Sequence, residues 1–240
     1  MKIDVKKWFV GSFATLLVVM TTLIFVDSYH KPNARAVIGM AGGLIVLWVF
    51  LGGGLMVRYR EPVCGYVRGL PGGWKTKFVL FATVLALIEE AITVTMTNLA
   101  PLFGVKVGEA YITASANWLD VVALHSVVMF VPLFIGVAFL LGRYAFTPFA
   151  IFVLFGVVGT TAEALYSGSP ATLLQFPQWL FVYGLMVYHP AYCVPVDRAA
   201  RPVRPWHYLV ALPYVFAVAL PFVVVIGFVI TSVLHHPGIH

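Results

Sequence analysis

Seven stretches of this chain carry long, nearly unbroken runs of apolar residues, over about 8–26, 36–57, 78–100, 118–141, 146–165, 174–192 and 208–234. About 20 such residues in a helix cross the ~30 Å hydrocarbon layer of a bilayer. Inside lipid, every backbone polar group needs an internal partner, and a helix supplies it. The alternation required of a membrane barrel strand is absent. The expected fold is therefore all-α, a single membrane-embedded bundle over 1–240 with seven spans. Composition agrees: 61% of residues are hydrophobic and 10% charged, with a mean hydropathy of +0.97. A soluble globule could not hide so much apolar surface.

The basic residues set the expected orientation. With the N-terminus inside, the cytoplasmic segments hold Lys2, Lys6, Lys7, Arg58, Arg60, Arg68, Lys75, Lys77, Arg143, Arg198, Arg201 and Arg204, whereas the other side holds Lys31, Arg35 and Lys106. That is twelve of the fifteen Lys and Arg residues on one side, and none inside a span. The positive-inside rule then predicts a multi-pass protein of the cell membrane, N-in and C-out. The net charge of +6 follows this pattern, so membrane lipids rather than nucleic acid are the expected neighbours. The run from Trp8 to Val26 exceeds a signal-peptide core and precedes no A-x-A site, and it reads as an uncleaved first span.

Two local patterns carry no chemistry of their own. Gly69-Leu-Pro-Gly-Gly-Trp-Lys75-Thr76 departs from a phosphate loop, because Trp74 stands where the second glycine belongs. Cys64 and Cys193 show no metal-type spacing, and a cytoplasmic location predicts two reduced thiols. Gly39 and Gly43 have the GxxxG spacing of close helix packing. Pro132 is expected to kink the fourth span.

The chemistry sits in ionisable groups within the spans. Glu89 and Glu90 fall near the middle of the third, where one charged carboxylate costs at least about 2.5–3.5 kcal/mol. Two adjacent ones cannot both stay ionised without a counter-charge, so one carries a proton unless a cation is bound. Ala86, Glu90, Thr93 and Thr97 share a helical stripe that Asn98 extends. The fourth span opens with Asn117 and Asp120 and reaches His125; the fifth presents Gly156, Gly159, Thr160 and Glu163 on one face. These depths predict that Glu89, Glu90, His125 and Glu163 meet in one outer-half cavity, if the three spans are neighbours. Glu89, Glu90 and His125 are the expected catalytic groups. With Glu163 they are also candidate ligands for a hard or borderline divalent metal, and Thr93, Thr97, Asn98, Asn117, Asp120 and Thr160 are expected to support them. His189 lies too deep to join this set.

The Glu89-Glu90 pair resembles the paired glutamates of CPBP-type intramembrane proteases and of small membrane carotenoid cyclases. The protease pattern has Arg where this chain has Val94 and Phe four residues before His125, which is Val121 here; the cyclase pattern adds flanking Pro and Phe residues that are absent. Each likeness covers fewer than ten residues and assigns no family. A retinal protein is excluded, since the last span has no Lys for a Schiff base. The expected function is a membrane-embedded enzyme acting on a lipophilic substrate. A proton- or cation-coupled transporter and a structural subunit of a larger homo- or hetero-oligomeric assembly are the alternatives.

Overall fold

The computed structural model describes residues 4–236, apart from the side chains of Tyr166 and Ala171. Among the described residues the apolar runs form helices and there is no strand, only two isolated bridges. The principal helices are α1 (Val5–Asp27), α2 (Pro32–Arg58), the short α3 (Arg60–Gly69), α4 (Trp74–Asn98), α5 (Trp118–His125), α6 (Val127–Arg143), α7 (Pro148–Ser167), α8 (Phe176–Tyr192) and α9 (Pro205–Val233). Helices α1, α2, α4, α7 and α9 are each long and apolar enough to cross a bilayer, and α5 with α6 makes a sixth such element bent by 46°. This is the build of a multi-pass membrane protein.

The stretch expected over 174–192 is shorter than its neighbours. A 3₁₀ segment, Pro170–Gln175, leads into the 17-residue α8. Every residue of α8 from Leu180 to Val187 is buried, which is where a helix apolar all round belongs. It is the central post of the bundle. By contrast α1 fully buries only Leu17; Phe9, Phe13 and Ala14 are partly buried against the core, and most of its other apolar side chains face outward.

Small residues set how closely the helices approach. A Cβ on Gly39 would lie 2.4 Å from the Phe103 ring, and one on Gly43 would lie 2.2 Å from Met96 Cε, so the GxxxG pair packs α2 against the far end of α4 and the start of the 99–117 connection. Gly156 faces the Leu180 backbone and Gly159 lies under the Tyr183 ring, seating α7 on α8. Trp48 Nε1 donates to the Val182 carbonyl at 3.0 Å and ties α2 to the same post.

Two local expectations are corrected, the place where the fourth span bends and the state of the cysteines. The fourth span breaks at Ser126, not at Pro132. A π-helical turn, Val121–His125, ends there with Ser126 N donating to the Val121 carbonyl at 2.9 Å, and α6 starts afresh in a new direction. Helix α2 continues through Gly52, Gly53 and Gly54 without a break, with π-helical hydrogen bonding over Ile45–Gly52. The cysteines are not separate thiols: Cys64 of α3 and Cys193 at the end of α8 form a disulfide with Cα atoms 4.8 Å apart. Arg68 strengthens this junction by donating to the carbonyls of Tyr192 and Cys193.

The two ends of the bundle differ. One end, the basic face, gathers the start of α4, the ends of α6 and α8, and the segment 193–204, where Arg198 donates to the Leu141 carbonyl and Arg201 N to that of Arg143. The opposite face carries the 99–117 connection, pinned by Asn33 to the Glu109 carbonyl and by Asn98 to that of Ala116.

Candidate functional site

Helix α4 brings Glu89 and Glu90 to the interior, where they are 4% and 5% exposed. The stripe expected beside Glu90 is present. Thr93 Oγ1 donates to Glu90 Oε2 at 3.0 Å, and Thr97 is fully buried, with its Oγ1 accepting from Ile112 N at 3.5 Å. Two further hydroxyls complete the cradle of Glu90. Thr113 Oγ1, from the 99–117 connection, donates to the same Oε2 at 3.3 Å, and the Ser126 hydroxyl also hydrogen-bonds this carboxyl.

Glu163 reaches the cluster from α7. It accepts a hydrogen bond from the Tyr183 hydroxyl, and it lies within electrostatic reach of both Glu89 and Glu90. Tyr183 can stand there because Gly159, one turn before Glu163, leaves room for its ring. Trp179, one turn from Tyr183 on α8, packs its ring 5.7 Å from the phenol. Its buried Nε1 has no hydrogen-bond partner among the described residues. Three carboxyls, a phenol and three hydroxyls therefore share one interior region. The side chains named around it include no Lys or Arg.

The remaining expected site residues fall elsewhere. The polar partners of His125 are Asp120 and His236, and none of the three glutamates is among them. The π turn before Ser126 accounts for this, since it sends His125 one way and Ser126 toward Glu90. Asn117 caps α5, accepting from Leu119 N at 3.0 Å, and Thr160 donates back to the Gly156 carbonyl at 2.8 Å. Asn98 holds Val94 and Ala116 carbonyls. These three are structural supports.

His189 is buried at the basic face, its ring 5.1 Å from that of Phe81 and its Nε2 3.4 Å from the Arg60 carbonyl, beside the disulfide. A cavity of about 180 Å³ opens there between Arg68, Lys77, Phe81 and Cys193. Between this end and the carboxyls the interior is apolar: Phe78, Ala82, Ala86, Phe134, Phe155 and Met186 are all buried in one core.

Compared with family models, with curated proteins and with solved structures, the chain matches none.

Proposed function

We propose that this protein is a membrane-embedded enzyme acting on a lipophilic substrate, with Glu90 as its acid/base group. Glu89 and Glu163 are the supporting carboxyls, and the Tyr183 hydroxyl hydrogen-bonds Glu163 as part of the same network. The observation that carries the reading is the one-sided polarity of the interior. Acidic and hydroxyl groups fill the half toward the 99–117 connection, and apolar side chains close the half toward the basic face. A buried carboxyl held among hydroxyls can pass a proton to or from a bound molecule. The orphan indole N–H of Trp179 adds a donor for a polar atom of that molecule. A cation-coupled transporter would use the same buried acids, but it needs a polar route to the second face, and the apolar core lies across that path.

Glu90→Gln keeps shape and hydrogen bonding while removing the transferable proton. Membranes from cells expressing the wild-type protein are expected to differ in at least one apolar metabolite from those expressing Glu90→Gln at equal, folded amounts. Identical extracts would sink the enzyme reading.

The full topology belongs to the same proposal: seven spans with α8 as the sixth, N-in and C-out. The twelve-to-three division of basic residues supports it. The disulfide lies on that same basic face and favours the inverted orientation, since disulfides persist in oxidising compartments. A reporter fused to the C-terminus is expected to register outside the cytoplasm; activity inside it would refute the proposed topology.

A further inference from the structure

Asp120, His125 and His236 form a second polar cluster, separate from the three glutamates. We propose that these three residues bind a single divalent first-row transition ion of the zinc class, at the face opposite the basic one. The site stands whether or not Glu90 is a reaction centre, because its test reads the metal alone.

The chain prepares the three donors in separate ways. Asp120 and His125 are five residues apart, and the π-helical turn between them, with its i to i+5 hydrogen bonding, places both on one side. His236 arrives from beyond the end of α9, 116 residues away, and its Nε2 lies 2.8 Å from Asp120 Oδ1. His125 Nε2 lies 3.7 Å from Asp120 Oδ2, and the two imidazole rings are 4.9 Å apart between centroids. One donor atom from each residue fits within 4.8 Å of the others. Metal–ligand bonds of about 2.0–2.2 Å put neighbouring donors on a tetrahedral ion about 3.3–3.6 Å apart, so small side-chain rotations close the set. An ion would take the place of the hydrogen bond between His236 and Asp120.

The ligand types select the ion. Two imidazoles and one carboxylate, with no thiolate, suit a borderline divalent cation better than Cu(I), Mg²⁺ or Ca²⁺. Three protein ligands leave at least one position open, as in catalytic rather than structural sites. The Ser115 hydroxyl hydrogen-bonds the Asp120 carboxylate, an outer contact of the kind that fixes ligand orientation. The three side chains are 9–23% exposed, so an ion can reach them.

The test uses full-length, tag-free protein in detergent, stripped with chelator and titrated with Co²⁺. Visible d–d absorption reports binding, and Zn²⁺ serves as competitor. The expected result is one ion per chain, displaced by Zn²⁺. His125→Ala, His236→Ala and Asp120→Asn, each checked for monodisperse elution, are expected to weaken binding at least 100-fold. His235→Ala and Glu90→Gln are expected to bind as wild type. Absence of stoichiometric binding by the folded wild-type protein would overturn the site. So would retention of full affinity in His125→Ala and His236→Ala, or loss in Glu90→Gln alone, which would place the ion at the glutamates.

Discussion

Gly159→Ala is expected to destabilise the bundle by about 1–3 kcal/mol, the usual range for overpacking a filled core. The cause is a direct collision, since the new Cβ would stand 1.9 Å from Tyr183 Cδ2 with Gly156 and Leu180 already in close contact a turn away. The ring cannot turn aside freely, because Phe130 and Trp179 flank it. Relief must come from moving Tyr183 off Glu163 or from separating α7 and α8. Thermal melting of the purified variant in detergent should show the loss, and any function that depends on the Glu163–Tyr183 contact should fall with it. Gly168→Ala, at a helix end with open space but a φ of 61°, isolates backbone strain from packing and should leave the Tyr183 environment intact. A Gly159→Ala protein that melts like wild type would show that α7 does not sit on Tyr183 as described.

The disulfide is the second site of large expected effect. Cys64 and Cys193 are separated by 129 residues, so the bond closes a loop containing α4 through α8. Long loops give the greatest constraint on an unfolded chain, and removing such a bond costs about 2–4 kcal/mol. Cys64→Ser, or reduction of the oxidised protein, should lower its melting temperature and release α3 from the end of α8. Arg68 would keep some of the junction through its two carbonyl contacts, which places the expected loss toward the lower end of that range. An unchanged melting curve after complete, verified reduction would mean that the bond holds nothing together.

Much of the architecture follows from patterns a one-dimensional reading can reach. Each apolar run became a helix, because lipid leaves the backbone no other partner. The Glu90 stripe was legible, since Thr93 and Thr97 repeat at the helical period, and the small face beside Glu163 was legible from Gly156 and Gly159. Other members of the site leave no such trace. Thr113 belongs to an irregular connection with no periodicity. Ser126 reaches Glu90 only because the helix breaks before it, and that break is a π turn without a proline signal. Tyr183 lies on a helix buried on every side, so no stripe singles it out. His125 was expected beside the glutamates on depth alone. Depth fixes height in the membrane but not the direction of a side chain, and here the π turn decides that direction. The partners Asp120 and His236, like the two cysteines, lie more than a hundred residues apart, and only the folded chain brings them together.

The proposed function makes Glu89, Glu90 and Glu163 one buried centre that exchanges a proton with a lipophilic molecule. Labelling intact membranes with a lipophilic carbodiimide, followed by mass-spectrometric mapping, tests it most directly. The reagent partitions into the bilayer and reaches carboxyls buried there, whereas acids such as Asp4, Asp27 and Glu61 are exposed at the surface of the bundle. The account predicts modification at one or more of Glu89, Glu90 and Glu163 at neutral pH, with a labelling pattern changed by Glu90→Gln. Folded protein carrying no modification at any of the three would contradict it.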